Sequence, residues 1–109
     1  MKLSELASQI GLTDINQHKD QEFTGVYVSD MVSDIITGAK AHSLLITLQT
    51  HKSLIAAANL VDVAAIIFTK GKRPAPDVVE LADKAHIALF TTDLNTWALA
   101  SKLSDLGIK

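Results

Sequence analysis

The sequence predicts an α/β protein: three layers, α/β/α, around a mainly parallel sheet of about four to five strands. Three observations carry this. Leu44 to Phe68 reads LLITLQTHKSLIAAANLVDVAAIIF, in which an apolar run passes through a polar turn into an Ala-rich helical segment and on to a second apolar run, the pattern of a strand, helix, strand crossover. Hydrophobicity inside each run is continuous rather than alternating, so each strand is covered on both faces, as in a parallel sheet between helices. A third apolar run at 87–91 follows another helical period, giving at least three parallel strands and the order α, β, β, α, β, α, β, α, β, α.

Taken in order, Leu3, Leu6, Ala7 and Ile10 recur at helical spacing before Gly11, which predicts a short amphipathic helix over 3–10. The polar segment 13–22 predicts an edge strand near Ile15 and an exposed turn, and Gly25 to Val28 a second strand. From Ser29 to Lys40, the set Met31, Val32, Ile35, Ile36 and Ala39 makes one apolar stripe, with Ser29 or Asp30 as N-cap. After the central crossover, Lys70 to Pro74 forms a basic turn. Pro76, Asp77 and Glu80 suit the start of a helix whose stripe is Val78, Leu81, Ala82 and Ala85. Thr91, Thr92 and Asp93 have the composition of a cap for a last helix ending at Gly107. On that helix Leu99, Leu103 and Leu106 form one stripe, whereas Leu94, Trp97, Ala98 and Ser101 fall nearly opposite, without obvious cover.

Bulk properties narrow the function classes. With 109 residues, 48% of them apolar, the chain makes a single domain, 1–109, that folds unaided. A net charge of −2 with no basic tract argues against nucleic acid or an anionic membrane as partner. Absence of cysteine removes disulfides, thiolate metal sites and a cysteine nucleophile, and suits a reducing, cytoplasmic setting. The N-terminus, broken by Ser4, Glu5 and Gln9, is neither signal peptide nor membrane anchor.

Chemistry in a parallel sheet belongs at the carboxyl ends of the strands, beside helix N-termini. Three turns fall there: Gln49 to Ser53, Thr69 to Arg73, and Thr91 to Thr96. In the first, Gln49, Thr50, His51 and Lys52 are candidate ligands for a small anion, with free backbone N–H groups, a cation and an imidazole at a helix start. The alternative is that Thr50 caps the helix while His51 and Lys52 are solvated. Thr92 and Asp93, on the same edge, join the candidate set, although capping alone accounts for that turn. The basic turn lacks the spacing of a P-loop. Asp30 and Asp34 stand four apart without further ligands, and the four histidines are scattered, so no metal site is expected. No serine, histidine and acid fall in a recognisable order, so no catalytic residue is expected, and neither is a cofactor. Trp97, with Leu94 and Ser101, is a candidate interface; the alternative places Trp97 under the N-terminal helix.

The order YVSDMVSDIITGAK, then the TLQTH turn and the TTDLNT cap, resembles the DRTGG domain over about residues 25–107. The final strand, cap and helix are similar to the N-terminal domain of HPr kinase/phosphorylase. The DRTGG pentapeptide itself is not present, and Phe23-Thr24-Gly25 stands nearest to it. The resemblance implies a fold like that N-terminal domain and a stand-alone regulatory or accessory module rather than an enzyme. It implies a homodimer sensing an anionic metabolite or nucleotide, or, alternatively, an interaction subunit of a redox complex associated with iron-only hydrogenase and without a small ligand.

Overall fold

A computed structural model describes residues 1–109. Its elements are α1 (Leu3–Ile10), β1 (Thr13–Asp14), β2 (Val26–Val28), α2 (Val32–Gly38), β3 (Leu44–Thr47), α3 (Lys52–Leu60), β4 (Ala65–Phe68), α4 (Pro76–Lys84), β5 (Ala88–Thr91) and α5 (Thr96–Asp105). The strands form one sheet in the order β1-β5-β4-β3-β2, with β2 to β5 parallel and β1 antiparallel to β5. The chain is thus the expected three-layer α/β/α arrangement with a mainly parallel sheet.

Alternation along each strand builds two cores from one apolar run. Leu45, Ile66, Phe68 and Leu89 point to the face covered by Ile35 of α2, Leu54 of α3 and Val78 of α4. Leu44, Ile46, Ile67 and Phe90 point to the other, covered by Leu3 and Leu6 of α1 and Leu99 and Leu103 of α5. Leu44, Leu45 and Ile46 are wholly buried, and each such side chain contributes on the order of 1.5–3 kcal/mol. Polarity at any of these positions would break one core or the other, which is why the runs read as continuous.

Departures from the expected elements lie at their ends. Helix α2 starts at Val32, with Met31 as N-cap and no side-chain cap. Ser29 Oγ instead accepts the Met31 N–H, and Asp30 lies outside the helix, so Asp30 and Asp34 do not share a helical face. Met31, Ile36, Leu81 and Leu106 are exposed although their spacing predicts buried stripes: Met31 and Leu106 are cap residues outside their helices, and α2 and α4 bury only Ile35 and the pair Val78 and Ala82. Helix α5 ends at Asp105 and begins after Asn95, whose side chain accepts the Ala98 N–H at 2.8 Å; the Thr91 to Asp93 segment is not its cap.

The two sheet edges are finished differently. On the β1 side, Asn16 continues the ladder through its side chain: Oδ1 accepts the Leu89 N–H, and Nδ2 donates to Asp83 and to the Ile87 carbonyl. His18 Nε2 bonds Asp14 at 3.0 Å while its ring packs edge-on against Phe90. The expected edge strand therefore sits at Thr13–Asp14, just before Ile15, and is pinned by side chains. On the β2 side nothing further pairs with the sheet.

Candidate functional site

The carboxyl ends of β3, β4 and β5 lie along one edge of the sheet because the three strands are parallel and in register. The chain leaves this edge in two directions. Helices α2, α3 and α4 pack on one face, and α5 on the other. The change of face falls between β4 and β5, the place where open α/β sheets usually leave a crevice.

Here that crevice is closed by its own loops. Lys70 N–H donates to the Leu94 carbonyl at 2.8 Å and Gly71 N–H to the Thr92 carbonyl at 2.7 Å. Buried Thr91 donates its hydroxyl to the Lys72 carbonyl at 2.8 Å, and the Thr69 and Thr96 hydroxyls meet at 3.3 Å. Lys70 and Gly71 both take positive φ to make the turn, at 57° and 69°. Thr92 and Asp93 are therefore committed to the closure: the buried Thr92 hydroxyl accepts the Leu94 N–H, and Asp93 Oδ1 lies beside Gly71.

One step along the edge, between the starts of α3 and α4, a cavity of about 430 Å³ stays open. Gln49, Thr50, His51 and Lys52 line it from the β3 to α3 turn, and Ala75, Asp77 and Val78 from the start of α4. The structure thus gathers the first four candidates in one place, and Thr92 and Asp93 do not line it. Lys52 offers the cation and both helix starts their backbone dipoles, while Asp77 contributes an opposing carboxylate that would repel an anion lying close to α4.

A run of polar contacts shapes this turn. Asp30 accepts from the Thr47 hydroxyl at 2.8 Å and from the Leu48 N–H at 2.7 Å. Thr47 Oγ1 then accepts the Gln49 N–H, and Gln49 Oε1 accepts the His51 N–H at 3.1 Å. His51, not Thr50, is the N-cap: its Nδ1 accepts the Ser53 N–H at 3.1 Å, with the Ser53 hydroxyl at 2.9 Å. Accepting at Nδ1 leaves Nε2 as the ring's free donor. Asp30 and Thr47 are not among the sequence candidates. The signal available is the Ser29-Asp30 pair, which reads as a helix cap but supports the end of β3 instead.

Shifted carboxyl and phenol groups lie elsewhere. The Ser4 hydroxyl, then the Ser4 N–H, hold Asp20 below the ordinary carboxylate range. The hydrogen bond from Tyr27 to Asp34, with desolvation and the Asp34 charge acting in the same direction, pushes the Tyr27 phenol up. A second cavity, about 320 Å³, lies against residues 16–21, Asp83 and His86, where the Asn16 amide is already spent on holding β1. No group of three or more histidine or carboxylate side chains is placed to hold a metal ion.

Of the interface candidates, Trp97 is 80% exposed, so it does not pack under α1. Leu94 precedes α5 and packs against the core that Leu99 and Leu103 build, so it is not on Trp97's helical stripe. Ser101, one turn after Trp97, is half-buried. No helix is long and apolar enough to cross a membrane.

A family model described as the DRTGG domain matches residues 5–106. Among solved structures, the chain is similar to the crystal structure of the CBS and DRTGG domains of the regulatory region of Clostridium perfringens pyrophosphatase, complexed with the activator diadenosine tetraphosphate. The TM-score is 0.70 at 18% identity, over 91% of this chain and 44% of that one. At this identity the likeness is one of fold, and this chain spans less than half of the solved regulatory region. Curated protein sequences give no match.

Proposed function

The chain belongs to the DRTGG domain family, and from that premise we propose that it is a non-catalytic regulatory module of the cytoplasm, working as a homodimer and binding a small anionic metabolite or nucleotide between α3 and α4. The observation that carries this is the open cavity lined by Gln49, Thr50, His51 and Lys52 beside two helix starts. A regulatory role is also in keeping with the solved neighbour, a pyrophosphatase regulatory region bound to a nucleotide activator. Binding there would be read out through α3, because an anion held by the Lys52 ammonium and the Lys52 N–H, the one N–H of the first turn not already bonded to His51, bears on the Asp30 to Ser53 contacts that join the β2 to α2 turn, β3 and α3.

Thermal unfolding tests it. The purified protein is heated with a panel of nucleotides and phosphorylated metabolites, diadenosine tetraphosphate included. A ligand at a hundred times its Kd adds about 2.7 kcal/mol of stability. One compound should raise the transition clearly, and Thr50→Ala with His51→Ala should abolish the rise. A rise that survives the double substitution moves the ligand elsewhere, and a flat panel removes the sensor.

One observation favours a second reading, a protein partner docking on α5: Trp97 stands 80% exposed near the helix start, and exposed aromatic side chains anchor interfaces. The solved neighbour offers no support for a redox complex as that partner. Trp97→Ala should leave the fold intact and weaken capture of the partner; an unchanged affinity excludes the surface.

A further inference from the structure

The strand β2 closes one side of the sheet with its outer backbone unpaired. Leu44 N–H donates to the Gly25 carbonyl and Ser29 N–H to the Ile46 carbonyl, so Gly25, Tyr27 and Ser29 turn their main-chain groups toward β3. By the two-residue period, Val26 and Val28 direct theirs outward. A groove of about 320 Å³ lies at the amino end of this strand, lined by Thr24, Val26, Tyr27, Lys40, Ser43 and Lys109 among others. Val28 is 49% exposed and Met31, just beyond it, 63% exposed. Charge, proline or shortness blunts such an edge; β2 carries neither charge nor proline, and its three residues limit the pairing it can offer to the groups of Val26 and Val28.

Resting on the homodimeric reading above, we propose that the dimer forms at this edge, β2 of one copy pairing antiparallel with β2 of a second copy about a two-fold axis through Tyr27. Two features single out a copy of this chain as the occupant. The first is hydrogen-bond self-complementarity. With Tyr27 opposite Tyr27, Val26 faces the partner subunit's Val28, and these are the two residues whose N–H and C=O groups are free, so each pair exchanges both of its bonds. The same register sets the two valine side chains of each pair together on the α5 face and covers the exposed one. The second is charge. Lys40 lies at the end of the groove where β2 begins, whereas Asp30 follows the other end of β2, beside Leu48. A two-fold reverses one against the other and brings Lys40 of each copy to the acidic end of its partner. The product is one continuous sheet with the short, pinned β1 strands at its outer edges.

Sedimentation equilibrium across a protein-concentration series tests the proposal, with wild type, Val28→Pro, Val28→Lys and Trp97→Ala compared. Proline at 28 removes only an outward N–H and is tolerated on an edge strand, and unfolding curves check that both Val28 variants fold. Wild type should reach a mass twice that of the single chain. Val28→Pro should raise the dissociation constant roughly thirtyfold or more, since it deletes one bond of each reciprocal pair at about 1 kcal/mol apiece. Val28→Lys should weaken the dimer at least as much, and Trp97→Ala should leave it unchanged. A dimer that folded Val28→Pro and Val28→Lys retain at wild-type affinity overturns the β2 assignment while keeping the homodimer. A dimer lost only in Trp97→Ala moves the contact to α5. A wild-type chain that stays single at every concentration removes the homodimer altogether.

Discussion

Two neighbouring gaps on the carboxyl edge of the sheet meet opposite fates. Between β4 and β5, where the helices change faces, the Thr69 to Lys72 turn and the Thr92 to Thr96 segment bond to each other and fill the crevice. Between the starts of α3 and α4, both on one face, no such lacing exists, and a cavity remains. A topological switch point creates the opportunity for a site, and the loops decide whether it survives. Hydroxyl-bearing and glycine residues in the two turns close the first gap, whereas a histidine cap and a lysine leave polar groups facing the second.

Breaking the laced crevice should cost the most. Gly71 has φ of 69°, and a Cβ there would stand 3.2 Å from Asp93 Oδ1. Gly71→Val should therefore destabilise by about 2–3 kcal/mol in urea unfolding, and a loss under about 0.5 kcal/mol would contradict the closure. Thr91→Val, which leaves the Lys72 carbonyl without its donor, should cost about 1–2 kcal/mol. Neither substitution should alter ligand response at the α3 to α4 cavity.

Substitutions at the open gap separate scaffold from site. His51→Ala should lose about 1 kcal/mol through the missing cap. His51→Asn should hold stability within about 0.5 kcal/mol, because an amide oxygen can accept the Ser53 N–H, yet lose any contact a ligand makes with the imidazole. Lys52→Gln should leave unfolding unchanged within about 0.5 kcal/mol while weakening an anionic ligand severalfold, measured by calorimetry.

The smallest effect lies remote from both gaps. Asp20 titrates below its unfolded value because Ser4 donates to it twice. Its contribution is present above the ordinary carboxylate value of 3.8 and fades as pH falls through the lower folded value. Asp20→Asn should thus flatten the acid limb of a stability profile and leave the neutral region with a small, pH-independent loss. An acid limb identical to wild type would show that the Ser4 contacts do not persist in solution.

The layers and the parallel strands were legible in the sequence because residues such as Leu44, Leu45 and Ile46 must serve two cores at once, and only a strand covered on both faces needs so short and unbroken an apolar run. Part of the lining of the candidate cavity was legible too: Gln49 to Lys52 sits at a strand end, and any strand to helix turn in this fold must reach that edge. What the sequence concealed was commitment. Thr92 and Asp93 have the same composition as a ligand loop, but Thr92 bonds to Gly71 and Leu94 and Asp93 lies against Gly71, a partner from across the crevice that only the fold supplies. Asp30 reads as a helix cap until Thr47 and Leu48 arrive beside it through the sheet register. Helix stripes misled at Ile36 and Leu81, since a helix of seven or nine residues turns only a narrow face to the sheet, and at Met31 because the helix begins one residue later.

Amide chemical-shift mapping of the protein, titrated with whichever nucleotide or phosphorylated metabolite stabilises it most, locates the ligand. The shifts should cluster at Gln49 to Ser53 and Asp77 to Val79, with Thr69 to Lys72 and Thr92 to Thr96 unmoved. Shifts concentrated at the laced turns, or a titration that moves no amide near α3, would contradict the account.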